Sequence, residues 1–263
     1  MKLRLLAIVL PLLLPGCDNK PNLAQLCKNN KEICDEYGKD SWCKVQRNNV
    51  SLAKIALKNK PHDVERFTLM VAYEGYIKCM ELASQIQHIK LKEKTTMRKN
   101  NLLKGKASLA SLVEETQTSE HPHLLYYHWS RTANKDALEK FLALEGTPAL
   151  ENSIDQHHLA TYYVKREPKK TLSLLYRALE LHQPDSELDP EILQTLATIF
   201  TNKKEFKQAY IWLKTYYLVQ GKPDKWVAET LQQYQQAYQL DTDFLDEAAD
   251  NTLDNILEGK FVS

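Results

Sequence analysis

Apolar residues recur at helical spacing through most of this chain. Between residues 61 and 88 the positions Val64, Phe67, Met70, Val71, Tyr73, Ile77, Met80 and Ile86 predict one apolar helix face. Pro61 stands in its first turn and Asp63 near the positive end of its dipole. A further helical stretch, "HIKLKEKTTMRKNNLLKGKASLASLVEETQ", follows, with seven lysines and arginines between Lys90 and Lys106 against a single acid, Glu93. Such a run reads first as a solvated face, with an approach to anionic lipid head groups as the sharper alternative. After Gly221 and Pro223, "DKWVAETLQQYQQAYQL" predicts another helix. The last predicted helix carries an apolar stripe of Leu245, Ala249, Leu253 and Ile256 or Leu257 among seven acids, and reads as a cap with a polar outer face. An acidic docking helix for a basic partner is the alternative.

Between these stretches the pattern repeats. "LLYYHWSRTANKDALEKFLAL" overlays "LATYYVKREPKKTLSLLYRALEL" at a period of about 34, which sets Trp129 on Tyr163, Leu138 on Leu172 and Phe141 on Leu175. "LATIFTNKKEFKQAYIWLKTYY" forms a third copy, with Ala197, Phe200 and Trp212 on Ala160, Tyr163 and Leu175. Each copy reads as helix, polar turn, helix. The period and the small-against-aromatic positions resemble tetratricopeptide or Sel1-like repeats, although the loop "HQPDSELDP" is longer than such repeats allow. The fold expected is all-α: helical hairpins stacked as a short solenoid, with a disulfide-stapled segment ahead of them.

The start of the chain is of another kind. Lys2 and Arg4 precede an apolar run from Leu5 to Leu14, about half the ~20 residues needed to span a bilayer. This is the form of a secretory signal. Leu14, Pro15, Gly16 and Cys17 resemble the lipobox of bacterial lipoproteins. That resemblance implies cleavage before Cys17, a thioether-linked diacylglycerol on its sulfur and an acylated amino terminus. Ordinary signal cleavage that leaves a thiol at Cys17 is the alternative. Asp18 followed by Asn19 resembles the retention signal of enteric lipoproteins, which points to the periplasmic face of the inner membrane, with the outer membrane as the alternative. The expected organisation is signal peptide 1–16, lipidated tether 17–22, disulfide-stapled helical region 23–118, repeat hairpins 119–222 and capping helices with an acidic tail 223–263. The tether "DNKPN" reaches at most about 18 Å, so the folded part is expected close to the bilayer.

Composition adds three constraints. Only 7 glycines and 10 prolines occur in 263 residues, as expected of helix. A formal net charge of +1 supplies no global field to recruit nucleic acid. If Cys17 is lipidated, Cys27, Cys34, Cys43 and Cys79 remain, an even number that predicts two disulfides in an oxidising compartment, with three connectivities open. A zinc site is the rival, although no closely spaced cysteine pair supports it. Read as one helix, "AQLCKNNKEIC" holds Cys27 and Cys34 two turns apart, about 10 Å, which argues against joining them to each other.

Catalytic signatures are missing: no glycine-rich phosphate loop, nucleophile elbow or His-Glu-x-x-His helix occurs. No cofactor and no resident metal is expected. Histidines do gather, His121, His123 and His128 in one copy and His157 and His158 in the next, and a metal site would need three or four of them to converge. His157 and His158 point about 100° apart on a helix and so do not readily serve one ion. The repeats are also rich in tyrosine. Core positions account for most of these, including Tyr163, Tyr176 and Trp212, while Tyr127, Tyr162 and Tyr217 are the expected exposed partner contacts.

Taken together, the lipobox, "LC", "IC", "WCKVQR", "YIKCMELASQIQ", "FLALEGTPALE" and "LLYRALEL" resemble a family of Gram-negative lipoproteins carrying a domain of unknown function, number 2989. The resemblance covers nearly the whole mature chain and implies location and fold, with no catalytic residues. In "EGTPALE", Gly146 and Pro148 read as a turn between hairpins. The function expected is a lipid-anchored periplasmic interaction module that meets an envelope protein. The alternatives are a metal-binding or enzymatic lipoprotein built on the histidines, and a passive structural lipoprotein.

Overall fold

A computed structural model describes residues 22–220 and 224–263. Cys17, Asp18 and Asn19 lie outside the described residues. Within them the chain is helical throughout, without strands, and folds as two compact units that divide between residues 114 and 115.

In the first unit, α1 (Leu23–Lys28) and α2 (Lys31–Cys34) are short, α3 (Lys44–Asn59) and α4 (Asp63–Ala83) pair side by side, and α5 (Lys92–Glu115) follows. Asn22 and Gln25 form a capping box that starts α1. The segment read as one helix is broken at Asn29–Asn30, where the Asn30 side chain donates to the Leu26 carbonyl at 3.0 Å. That break corrects the disulfide expectation. Cys27 and Cys34 sit 5.8 Å apart at Cα and are bonded to each other, and Cys43 joins Cys79 on α4. A straight helix separates two such residues too widely; two short helices meeting at an angle do not.

The buried face of α4 is Leu69, Met70, Tyr73, Tyr76, Met80 and Ala83, so the apolar face is rotated away from Val64 and Val71, which are exposed. Tyr76 and Ile77 lie 3.4–3.7 Å from where a Cβ on Gly105 would be, so α5 crosses α4 closely at that glycine. The basic run is a solvated face at Lys90, Lys92, Lys99, Lys104 and Lys106, and Arg98 is its exception. Arg98 is buried and bonded to Asp40, Lys104 pairs with Glu36 at 3.2 Å and Lys106 with Glu81 at 2.7 Å.

The second unit is a succession of hairpins: α6 (Pro122–Thr132) with α7 (Lys135–Ala143), α8 (Ser153–Tyr163) with α9 (Pro168–Glu180), and α10 (Pro190–Asn202) with α11 (Phe206–Val219). Proline opens α6, α8's partner α9, and α10, where its missing N–H costs no helical bond. Phe141, Leu175 and Trp212 are all buried at matching places, as are Ala160 with Ala197 and Tyr163 with Phe200. The sequence register is thus the packing register. Gly146, at φ +76°, turns the chain after α7, and Thr147 then caps a 3-10 turn, Pro148–Leu150. The last helices, α12 (Lys225–Tyr238) and α13 (Thr242–Leu257), both pack on α11. Asp246 of α13 accepts from the Tyr210 hydroxyl and from Lys214, each at 2.8 Å, so this acid faces the unit.

Candidate interaction surface

The histidines singled out from sequence sit on α6 with its cap and on α8, the first helices of the first two hairpins, and the fold distributes them among four places. His121 is structural: its Nδ1 accepts the His123 N–H at 3.3 Å and so caps α6. His128 is buried against Thr116, with Nε2 3.0 Å from the hydroxyl, and burial lowers its pKa. His123 and His158 meet at Asp155, which is 2% exposed. His123 Nε2 lies 3.4 Å from one carboxylate oxygen and His158 Nδ1 3.5 Å from the other. Asn152, the cap of α8, donates its amide to Asp155 at 2.7 Å. Burial alone would raise the Asp155 pKa; hydrogen bonds from His123 and His158 hold it below the usual carboxylate range. Burial pushes His158 down to about 4, and its ring stacks on Tyr126 at 3.7 Å.

His157 points the other way around α8. Its Nδ1 lies 2.9 Å from Asp189, the cap of α10, and Glu191 completes a group whose ligand-type atoms all fall within 4.8 Å of one another. Burial acts to raise the Asp189 pKa, and the His157 contact prevails and lowers it. The metal set imagined from sequence, His121, His123, His128 and His157, does not converge. Asp155, Asp189 and Glu191 were not singled out from sequence, although "DQHH" sets an acid two and three residues before the histidines and "DPE" sets acids at a helix start.

The tyrosines also divide. Tyr127 is 4% exposed, so it is a core residue of α6 rather than an exposed contact. Its place on the helix decides this, since Leu124, Tyr127 and His128 share the buried side. Tyr162 is half-buried, edge-on to Trp129 at 5.5 Å, with the Arg166 guanidinium 4.2 Å from its ring. Tyr217 is half-buried against the core of the unit. Tyr126 and Trp129, 5.7 Å apart, extend the Tyr162 cluster across α6 and α8.

Beside this cluster the second and third hairpins leave an apolar groove of about 330 Å³. Val164, Pro168, Leu172, Thr198 and Ile199 line it, and Lys169 and Lys203 add positive charge. It lies where α8 ends at Tyr163 and the chain turns through exposed Val164 to Pro168, beside α10. A smaller cavity is bounded by His157 and Thr161 of α8 and Thr195 of α10.

Residues 14–214 match a family described as Protein of unknown function (DUF2989). The chain belongs to this family. The match spans the disulfide segment and all three hairpins through most of α11. No curated protein and no solved structure matches the chain.

Proposed function

We propose that this DUF2989 protein is a lipid-anchored, periplasmic interaction module without catalysis, whose hairpin unit receives an apolar segment of an envelope protein. The observation that carries the reading is the groove between the second and third hairpins. Its apolar lining suits an aliphatic or aromatic side chain, and Lys169 and Lys203 suit acidic neighbours in the bound segment. Stacked hairpins of tetratricopeptide type present such grooves along one side. Anchoring is supported by "LLLPGC", and inner-membrane retention by Asp18 and Asn19. A photo-crosslinking residue at Ile199 in intact cells should capture one recurrent envelope protein, and Leu172→Glu should reduce that capture. Capture of the same set from exposed Glu229 on α12, or none from Ile199, would overturn the reading.

A second reading, metal binding, is favoured by a different trio from the one the sequence suggested. His157, Asp189 and Glu191 offer one imidazole nitrogen and two carboxylates, a donor set suited to a divalent ion such as zinc or manganese. Zinc or manganese titrated into untagged protein tests it. Asp189→Asn keeps the helix cap while removing a charged ligand, so stoichiometric binding that this variant abolishes supports a site. Absence of binding removes the reading.

A further inference from the structure

One end of the first unit carries exposed apolar side chains set among lysines. Ile89 is 90% exposed, Leu82 67%, Trp42 56% and Leu91 51%. Three separate stretches are fixed together there by Arg98. Its guanidinium bonds Asp40 at 2.5 and 3.1 Å, donates to the Ala83 carbonyl at 3.2 Å and lies 5.5 Å from the centre of the Trp42 ring. The link from α4 to α5 is folded back on itself: the His88 N–H donates to the Thr95 hydroxyl at 3.1 Å, and that hydroxyl donates to the Ile86 carbonyl. Ile89 and Leu91 are left outward, alternating with exposed Lys90 and Lys92. Of the acids at this end, Asp40 is already engaged by Arg98, with Lys94 at 3.7 Å, and Glu81 pairs with Lys106 at 2.7 Å. Glu93 is the one acid in the first turn of α5.

We propose that this patch docks on an anionic lipid surface. Ile89, Leu82 and Leu91 enter the boundary between head groups and acyl chains, Trp42 lies at that boundary, and Lys90 and Lys92 reach the lipid phosphates. Each part follows from its chemistry. Apolar residues beside a charged rim bind in the interface plane, tryptophan settles at head-group level, and lysines there add attraction to anionic lipid. The alternation of apolar and basic residues in an exposed link matches a lipid surface better than a protein groove, which would desolvate the lysines. The patch also has a place relative to the tether. α3, at 16 residues, is about 24 Å long. Cys43 and Trp42 stand at its start, while Lys58 near its end holds Asn30 and Glu32 of the segment that follows the tether. A lipid on Cys17 and the patch would thus attach opposite ends of α3 and lay it along the membrane. That orientation rests on the lipid-anchor reading, whereas the patch does not.

The test uses the mature chain with Cys17→Ser, which has no acyl group, and two vesicle types: phosphatidylcholine alone, and phosphatidylcholine with phosphatidylglycerol. Cosedimentation is expected only with the second, weakened by salt. Ile89→Asp should lower the partition coefficient by roughly tenfold or more. Lys90→Glu with Lys92→Glu should do the same, since each lysine contributes about 1 kcal/mol near an anionic surface. Val64→Asp, at an exposed apolar position at the start of α4, should leave binding unchanged. No binding, binding indifferent to phosphatidylglycerol, or equal losses for Ile89→Asp and Val64→Asp would overturn the proposal. So would a photo-crosslinker at Ile89 that captures protein instead of lipid in cells. Acyl labelling of Cys17 in the unmodified protein is read separately, and its failure would remove the anchor without altering the vesicle result.

Discussion

Asp40 and Arg98 are 8% and 2% exposed, and their contact joins the link between α2 and α3 to α5. A buried pair of this kind is far costlier to halve than to remove. Asp40→Asn leaves the Arg98 charge unmatched and should destabilise the first unit by about 3–5 kcal/mol, read by urea unfolding. Asp40→Leu combined with Arg98→Met should recover most of that loss. The Arg98 hydrogen bond holds the Asp40 carboxyl down to about 2, below its unfolded value, so its contribution is present above the ordinary carboxylate range and disappears as pH falls from about 4 towards 2. His158 acts at higher pH. Its folded pKa of about 4 lies below the unfolded 6.5, so the unfolded chain binds the proton first and stability falls as pH drops from 6.5 to 4. The slope from one such proton is at most about 1.4 kcal/mol per pH unit. Thermal melts of His158→Gln should be flatter across that window. An unchanged slope would mean that the ring is already charged in the folded protein. Neither pair was legible in the sequence, because each joins residues brought together only by packing, Asp40 to Arg98 and Asp155 to His123.

Among the helices, legibility followed period and punctuation. The hairpins α6–α7, α8–α9 and α10–α11 were readable because small and aromatic residues recur in step and asparagine, glutamate–proline and aspartate–proline mark the starts of α7, α9 and α10. Cys27 to Cys34 was misread for the opposite reason: the apolar spacing suits one helix, and the signal against it was the pair Asn29–Asn30. Asparagine side chains compete for backbone groups, and Asn30 does so at the Leu26 carbonyl. On α4 the period held and Met70, Tyr73 and Met80 are buried as expected, whereas Val64 and Val71 mimic core positions by type alone. The two bridges should differ in weight. Cys43–Cys79 spans 36 residues and ties α4 to the start of α3; Cys27–Cys34 spans 7 and closes a turn between helices with no buried residues. Loop-closure entropy gives about 4 kcal/mol for the first and about 2 kcal/mol for the second. Cys43→Ser/Cys79→Ser should therefore lower the melting temperature more than Cys27→Ser/Cys34→Ser. Equal losses would show that the short bridge also holds α1 and α2 against α3.

For the molecule as a whole, the first question is which surface holds it. Among the described residues no helix is long and apolar enough to cross a membrane, so attachment in the proposed function falls to Cys17 and what surrounds it. Each buried methylene contributes roughly 0.8 kcal/mol, and three acyl chains together would keep the protein on its bilayer for far longer than a single chain. Choice of bilayer is then a matter of sorting, which Asp18 and Asn19 are proposed to direct. The two can be separated. Cys17→Ser should move the protein from the membrane fraction to the soluble periplasm, apart from whatever the Ile89 patch retains on anionic lipid. Asp18→Ser with Asn19→Ser leaves the acyl chains in place and should transfer the protein from the inner-membrane to the outer-membrane band of a density gradient. If both forms sediment with the inner membrane, retention comes from a protein partner rather than from the residues beside Cys17. The hairpin groove would then be the first place to look, and Leu172→Glu combined with Asp18→Ser should release the protein outward.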